Sequence, residues 1–303
     1  MVPRSDMTKP RALLTGRSGF TGHYVARELE QAGYEVFGLS NHGDDGEPGS
    51  IRANLLDGEA VRHAVATVKP DVVLHLAAIA FVAHGDVDEM YRVNVEGTRN
   101  LLDALAAAAH KPGLVVLASS ANIYGDAEVD PIDEDTPPAP ANDYAVSKLA
   151  MEHMARLWMD RLPIVITRPF NYTGIGQSEQ FLIPKIVAHF RRGERVIELG
   201  NTQVARDFGD VRDVARAYIA IIHGKSVGKA INICTGIGYS LSDVLEMMAN
   251  IAGYHIEVRV NPAFVRANEI SRLVGSNKRL VDDTGWRRQY ELQQTLMWMH
   301  GAG

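Results

Sequence analysis

The first half of the chain alternates short apolar runs with longer segments whose apolar residues recur at helical spacing. The short runs predict buried strands at residues 12–15, 35–39, 51–55, 72–76, 114–118 and 164–167. The longer segments predict helices at residues 19–31, 59–68, 89–110 and 143–160. Parallel strands need crossover connections, which are usually helices, so this alternation predicts an α/β fold with a doubly wound parallel sheet.

The pattern changes after residue 168, where Gly-rich and polar segments separate shorter elements. The spacing there predicts two helices and three strands, at residues 184–192, 242–252, 196–199, 231–234 and 256–260. We therefore expect a main domain over residues 7–168 and a smaller α/β C-terminal cap, mainly over residues 169–303. One strand near residues 231–235 is expected to return to the main sheet.

Composition narrows the class of protein without naming a function. The chain has 303 residues, of which 46% are hydrophobic and 22% charged, and its net charge is −6. A mildly acidic balance gives no reason to expect nucleic acid as a partner. No segment approaches the ~20 apolar residues of a membrane helix, and the N-terminus carries no apolar signal region. The single cysteine, Cys234, fits a reducing compartment. We expect a cytoplasmic protein without a metal site.

A glycine motif follows the first predicted strand and opens the first predicted helix. Gly16, Gly19 and Gly22 have the spacing GxxGxxG. The first glycine permits a tight turn, the second lets the backbone approach a pyrophosphate, and the third lets helix and strand pack closely. This context predicts a dinucleotide site, whose residues in the loop are Gly16, Arg17, Ser18, Gly19, Phe20 and Gly22.

The type of dinucleotide depends on the residues after the second strand. NAD selectivity usually comes from a carboxylate there, but this chain has Leu39, Ser40 and Asn41. Arg17 could pair with the 2′-phosphate of NADP, although it could equally be a solvated loop residue. The sequence therefore favours NADP(H), with NAD(H) as the alternative, and places Ser40 beside the cofactor.

Tyr144 and Lys148 are four residues apart at the start of a predicted helix, so their side chains share one face. A nearby ammonium favours the phenolate and would bring the tyrosine pKa toward the working range. Ser120 follows the strand at residues 114–118, at the carboxyl end where parallel sheets place ligands. We expect Ser120 to orient a carbonyl oxygen, Tyr144 to protonate it, and Lys148 to lower the pKa and bind the cofactor ribose.

These motifs together resemble the extended short-chain dehydrogenase/reductase family over nearly the whole chain, which implies a Rossmann-type fold. The similarity includes the pair at residues 54–55, the segment at 75–78, the helix motif at 94–98 and the segment at 168–171. It implies further cofactor contacts from Asn54, Leu55, Leu76, Ala77, Ala78, Asn94, Ser119 and Phe170. Members of the family commonly form homodimers through two helices, here residues 89–110 and 143–160. Burial within one subunit would explain the apolar faces of those helices equally well.

The second half resembles enzymes that act on GDP-mannose derivatives, above all those that reduce GDP-4-keto-6-deoxy-D-mannose to GDP-D-rhamnose. The similar segments are residues 168–177, 200–208, 266–270, 273–280 and 284–286. The partner implied is a GDP-linked 4-keto-6-deoxy sugar. Its expected contacts are Asn122, Asn171, Lys185, Arg206, Arg266 and Glu269. Arg pairs well with phosphate, but a surface ion pair with Asp207, Asp210 or Asp213 is an equal alternative for Arg206.

Asn122 favours reduction over dehydration. Dehydratases of the family carry a glutamate at this position, two residues after the Ser/Thr, as the base for the sugar C5 proton, and an amide cannot take that proton. A nucleotide-sugar 4-epimerase with bound NAD and a GDP-mannose 4,6-dehydratase remain alternatives. A non-enzymatic dinucleotide sensor fits poorly with an intact Ser120, Tyr144 and Lys148. The configuration produced at C4, rhamno or talo, is not written in the sequence.

Overall fold

The computed structural model describes residues 9–41, 49–80, 86–262 and 270–302. Its strands are β1 (Arg11–Thr15), β2 (Glu35–Ser40), β3 (Ser50–Arg52), β4 (Val72–His75), β5 (Leu114–Ala118), β6 (Ile164–Pro169), β7 (Asn171–Thr173), β8 (Val196–Leu199), β9 (Ala205–Asp210), β10 (Ala230–Ile233), β11 (Gly238–Ser240), β12 (Glu257–Val260) and β13 (Arg272–Leu273). Seven of them form one sheet in the order β10-β6-β5-β4-β1-β2-β3. The pairs from β6 to β3 are parallel. The order reverses beside β1, as in Rossmann-type folds, which confirms the predicted fold class.

The helices are α1 (Phe20–Gln31), α2 (Gly58–Val68), α3 (Val87–Tyr91), α4 (Thr98–Ala107), α5 (Asp143–Arg156), α6 (Leu182–Arg191), α7 (Val211–Ile222), α8 (Leu241–Ala252), α9 (Lys278–Thr284) and α10 (Leu292–His300). The helix predicted at residues 89–110 is interrupted, because a π-helical turn, Arg92–Gly97, joins α3 to α4. Within the described part of the chain, no helix is both long and apolar enough to cross a membrane.

By its contacts the chain divides into two compact units. The first contains Met1–Ser119, Val146–Thr167 and Tyr218–Ala230, and the second Ser120–Ala145, Arg168–Ala217 and Ile231–Gly303. In the first unit, buried residues of the central strands pack with those of α2, α4 and α5 into one apolar cluster. This burial fixes the carboxyl ends of the strands, where α/β proteins bind ligands.

In the second unit α6, α8 and α10 pack around β8 and β9. Strand β9 is central, with β7, β11 and β13 as its partners. Strand β9 and helix α7 were not predicted; in β9, Asp207 and Asp210 interrupt the apolar pattern. Asp207 is buried but accepts hydrogen bonds from the Thr235 and Gly236 N–H groups at 2.9 and 2.8 Å. A sequence pattern cannot show such long-range partners, which make a buried carboxylate tolerable.

Candidate active site

The glycine loop of the first unit leaves no room for a side chain at Gly16 or Gly22. Gly16 has a φ of +75°, which favours glycine, and a Cβ there would lie 2.9 Å from the Ala77 nitrogen. A Cβ on Gly22 would lie 2.0 Å from the Gly16 oxygen. Helix α1 begins directly after Gly19, so the loop presents backbone at a helix N-terminus. Such a cradle fits a pyrophosphate, because N–H groups and the helix dipole both favour anions.

We expect Gly22→Ala to lower dinucleotide affinity by more than tenfold. The added Cβ would meet main-chain atoms of the loop at 2.0 to 2.7 Å, so the backbone must shift away from its present path. Gly113→Ala is the matched control, since its nearest neighbour would be the Asp71 oxygen at an ordinary 3.6 Å. Fluorescence titration with NADPH measures the affinity and thermal melting confirms folding. Equal affinity in a folded Gly22→Ala protein would contradict this role for the loop.

A chain of buried hydrogen bonds joins the end of β1 to the π-helical turn. His75 lies between the Thr15 Oγ1, 2.7 Å from its Nδ1, and the Thr98 Oγ1, 2.8 Å from its Nε2. The Thr98 hydroxyl donates to the Asn94 oxygen at 2.8 Å, so the His75 Nε2 must donate to it. Burial, reinforced by the positive charge of Lys148, lowers the pKa of His75 to about 3. This histidine is therefore neutral, and its Nδ1 accepts from Thr15.

Asn94 hydrogen-bonds two elements that flank the predicted cofactor contacts, namely the segment after β4 and helix α5. Its Oδ1 accepts from the Ile79 N–H at 2.9 Å, and its Nδ2 donates to the Ile79 oxygen at 3.1 Å. The same Nδ2 is 3.0 Å from the Ser147 Oγ on α5. Thr15 completes the arrangement by accepting from the Ala77 N–H at 3.1 Å. The segment after β4 is thus held at both ends, beside the glycine loop and beside α5.

Lys148 and Ser119 lie buried at the carboxyl end of β5. The Lys148 Nζ donates to the Ala118 oxygen at 2.8 Å. Burial lowers the pKa of Lys148 to about 8, while the negative charge of Glu152 acts in the opposite direction. Among the described residues, the Ser119 Oγ is one of two buried side-chain polar atoms that have no hydrogen-bond partner. An orphaned hydroxyl beside a buried lysine is the kind of group that a bound ligand satisfies.

The second unit contributes Ser120, Asn122 and Tyr144. The Ser120 Oγ accepts from the Asn122 N–H at 3.2 Å, and Ser120 also hydrogen-bonds the Tyr144 side chain. Burial raises the pKa of Tyr144 to about 12, while the hydrogen bond with Ser120 lowers it. The expected drop of this pKa toward neutrality is therefore not seen in the protein alone, because desolvation of the phenolate dominates. At neutral pH Tyr144 is a protonated phenol that can donate a proton.

Two of the predicted cofactor contacts lie after β3, and one lies in the interior of the second unit. Asn54 is exposed and its Oδ1 accepts from the Leu56 N–H at 3.0 Å. Leu55 is buried. Phe170 is also buried, and its ring lies 6.2 Å from the ring of Tyr124. The Phe170 ring therefore packs among side chains of its own unit.

The predicted sugar contacts are spread along the second unit. Asn171 is exposed on β7, and the Lys185 Nζ donates to the Glu198 oxygen at 2.9 Å. The Arg206 guanidinium donates to the Ala205 and Ile270 oxygens at 2.8 and 2.6 Å. Arg266 and Glu269 lie outside the described residues.

Of the three acids near Arg206 in the sequence, Asp207 accepts hydrogen bonds from Thr235 and Gly236, and the other two pair with other arginines. Asp210 lies 2.6 Å from the Arg212 Nη2, and Asp213 pairs with Arg216.

A cavity of about 180 Å³ lies beside β2 in the first unit. Among the described residues, its lining combines cationic and hydroxyl side chains with one acid. The lining residues are Arg17, Ser18, His23, Ala26, Arg27, Glu30, Gly38, Ser40 and Ser50. Arg17, Ser18 and Ser40 were predicted. The other polar residues, His23, Arg27, Glu30 and Ser50, were not predicted, although the first three follow one another at helical spacing on α1.

Comparisons with known proteins agree with this geometry. The profile of the NAD dependent epimerase/dehydratase family matches residues 12–234. The GDP-6-deoxy-D-talose 4-dehydrogenase of Aggregatibacter actinomycetemcomitans is 34% identical over 278 residues, which cover 91% of each chain. The GDP-6-deoxy-D-mannose reductase of Pseudomonas aeruginosa is 34% identical over 297 residues, or 94% of each chain. A crystal structure from Burkholderia cenocepacia J2315, of a protein assigned as an epimerase, superposes with a TM-score of 0.90 at 48% identity, covering 97% of this chain and 99% of that one.

The predicted resemblance to short-chain dehydrogenases and reductases is thereby confirmed, and the relatives are nucleotide-sugar oxidoreductases and epimerases. These relatives support oxidoreductase or epimerase activity on a nucleotide sugar for this chain. With its glycine cradle, its buried lysine and its protonated tyrosine, the chain belongs to the NAD dependent epimerase/dehydratase family and is an NAD(P)-dependent enzyme.

Proposed function

We propose that this enzyme reduces the 4-keto group of GDP-4-keto-6-deoxy-D-mannose with NADPH and forms GDP-D-rhamnose. The observation that carries the proposal is the Ser120–Tyr144 hydrogen bond at a tyrosine whose pKa is raised to about 12. A phenol that stays protonated is suited to donate a proton to a carbonyl oxygen. Asn122 beside it offers no carboxylate to remove a C5 proton. Two 34% identical relatives whose names carry a GDP-6-deoxy-hexose support the substrate class.

The first unit has the features that a dinucleotide requires. The loop at Gly16, Gly19 and Gly22 would hold the pyrophosphate, and Ser40 and Arg17 would lie at the adenosine end. The orphaned Ser119 hydroxyl and Lys148 would face the nicotinamide end. When bound, the nicotinamide supplies the hydride that reduces the carbonyl carbon. The remaining predicted contacts, Asn54, Leu55, Leu76, Ala77, Ala78, Asn94 and Phe170, complete the proposed set.

The residues of the chain supply the proton and stabilise the negative charge that forms when it is transferred. Ser120 donates a hydrogen bond to the C4 carbonyl oxygen and orients it toward Tyr144. As the carbon becomes tetrahedral, the oxygen takes the Tyr144 proton, so the C=O bond becomes CH–OH and tyrosine becomes a phenolate. Lys148, one helical turn further along α5, stabilises that phenolate with its ammonium. Water then returns the proton to Tyr144.

The sugar nucleotide would bind to the second unit. Asn122 and Asn171 are proposed to contact the hexose, while Lys185, Arg206 and Arg266 pair with the diphosphate and Glu269 accepts from ribose. The Arg206 guanidinium is anchored by two backbone oxygens, and an anchored Arg loses less entropy on binding a phosphate.

NADP(H) is the proposed dinucleotide, because cationic side chains and hydroxyls line the cavity beside β2. We further propose a cytoplasmic homodimer. The dimer is supported by two exposed apolar side chains, since Val146 on α5 and Leu157, directly after its end, are 39% and 74% exposed.

The direct test mixes the protein with NADPH and GDP-4-keto-6-deoxy-D-mannose and follows the absorbance of reduced nicotinamide. Oxidation with stoichiometric formation of GDP-D-rhamnose, identified by NMR, is expected. No oxidation of NADPH with a verified keto sugar would contradict the proposal.

Two further candidates each rest on one similarity. The talose dehydrogenase relative favours GDP-6-deoxy-D-talose as product, which the same NMR spectrum distinguishes from the rhamno product. The similarity to the assigned epimerase favours a 4-epimerase, which would interconvert nucleotide sugars with no net consumption of added NADPH. A GDP-mannose 4,6-dehydratase, the remaining alternative, would act on GDP-mannose itself. Asn122 argues against this activity, because an amide cannot remove the sugar C5 proton.

A further inference from the structure

We infer that Gly38 is a specificity-determining residue: it leaves the space that positions the Arg17 side chain, so that the guanidinium binds the 2′-phosphate of NADP(H). Glu30 competes with that phosphate for the guanidinium. The inference rests on the proposed dinucleotide site and extends it to residues that choose between two dinucleotides. It concerns the cavity beside β2, where a phosphate monoester on the adenosine ribose is the ligand group.

The Arg17 stem lies directly over the backbone of β2. A Cβ on Gly38 would be 2.6 Å from the Arg17 Cδ and 3.1 Å from its Cβ. The guanidinium continues past this point, because a Cβ on Gly49 would lie 3.7 Å from the Arg17 Nη1. The missing side chain of Gly38 therefore provides the space that the arginine occupies. With any other residue there, the stem of Arg17 must lift away from the strand.

The cavity that Arg17 enters has the chemistry of a phosphate site. Arg27 and His23 on α1 add positive or hydrogen-bonding groups, and Ser40 and Ser50 bring hydroxyls from β2 and β3. Arginine is the preferred partner of a phosphate, because its planar fork donates two parallel hydrogen bonds. NADH would place only a ribose hydroxyl there, so its affinity depends far less on these cations.

Among the residues that the structure describes, Glu30 is the one acid in the lining of this cavity. Its Oε1 lies 3.8 Å from the Arg17 Nη2, and the two side chains are 55% and 20% exposed. An exposed pair at this distance is weak, so a phosphate dianion can displace the carboxylate. A carboxylate at this position lowers the affinity for NADPH by like-charge repulsion with the phosphate.

The test measures dissociation constants for NADPH and NADH by fluorescence titration, without any sugar nucleotide. Arg17→Met is expected to weaken NADPH binding by about 10- to 100-fold, the worth of charge-assisted hydrogen bonds, and to leave NADH binding unchanged. Gly38→Ala is expected to weaken NADPH alone by about tenfold, through the displaced arginine. Glu30→Gln is expected to strengthen NADPH binding by about threefold. Glu28→Gln, on the same helix but outside the cavity lining, is the charge-matched control and should change neither constant.

A double variant shows whether Gly38 acts through Arg17. In the Arg17→Met background, Gly38→Ala should cause no further loss, because the displaced side chain is already gone. A folded Gly38→Ala protein that keeps the wild-type ratio of the NADPH and NADH dissociation constants would show that Gly38 does not position Arg17. An unchanged ratio in Arg17→Met would overturn the phosphate site even if Gly38→Ala failed to fold. The titrations need no sugar, so failure of the reductase assay leaves their outcome intact.

Discussion

Tyr144→Phe lowers kcat for keto-sugar reduction by about 10³-fold, within the range that general acid catalysis contributes. The phenol is the proton donor of the proposed reaction, and its pKa of about 12 keeps it protonated throughout the accessible pH range. Phenylalanine keeps the ring and removes only the hydroxyl that hydrogen-bonds with Ser120. Binding of NADPH should change little. Stopped assays with NADPH and the keto sugar give kcat, and fluorescence titration gives the affinity.

Tyr254→Phe is a control for the loss of one hydrogen-bonded phenol hydroxyl, at a half-buried position. The Tyr254 hydroxyl donates to the Phe190 and Glu194 oxygens, both at 3.1 Å, and the side chain packs against the apolar cluster of the second unit. Its loss should lower the melting temperature and leave kcat near the wild-type value. A Tyr144→Phe enzyme with wild-type kcat would exclude this residue as the acid, whatever its effect on stability.

The second large effect concerns Lys148 and the pH dependence of kcat/KM. Lys148 carries its charge below its pKa of about 8 and loses it as the pH rises through that value. The charge stabilises the phenolate that forms when Tyr144 gives up its proton. We therefore expect kcat/KM to fall on the alkaline side above a pH of about 8. Tyr144 cannot produce this limb, because its own pKa lies near 12.

Substitutions separate the charge of Lys148 from its shape. Lys148→Met is expected to lower kcat/KM by about 10²-fold or more and to flatten the alkaline limb, since no titrating cation remains. Lys148→Arg keeps a charge that does not titrate below a pH of about 12, so the limb should move out of range even if the rate is reduced. An unchanged limb in Lys148→Arg would assign it to another group. His75 is not that group, since it is neutral above its pKa of about 3.

The parts of the site that were predictable are those that lie close together in the chain. The glycine loop joins one strand to one helix within eight residues, and its spacing reports backbone geometry directly. Tyr144 and Lys148 are one helical turn apart. The cavity beside β2 was only half predicted. Arg17 was visible in the loop, but the space over Gly38 depends on how a distant strand passes beneath it.

The pKa of Tyr144 was unpredictable for a different reason. A charge four residues away can be read from the sequence, but the degree of burial cannot. Here desolvation outweighs the hydrogen bond from Ser120 and raises the pKa. The same holds for β9, where Asp207 is buried because Thr235 and Gly236 supply donors from 28 and 29 residues further along the chain.

The π-helical turn at Arg92–Gly97 puts the two halves of its helix out of phase. Each residue of an α-helix turns the chain by about 100°, so a widened turn shifts the direction of every side chain after it. Before the shift Met90 is buried, and after it Leu101, Leu102 and Leu105 face the apolar cluster. A regular helix with the same packing at both ends would have one residue fewer. The extra residue lets Asn94 and Thr98 point into the polar chain at His75 while the leucines keep the core. A one-residue deletion here would thus force a choice between core and site, and the length of this segment is itself a functional constraint.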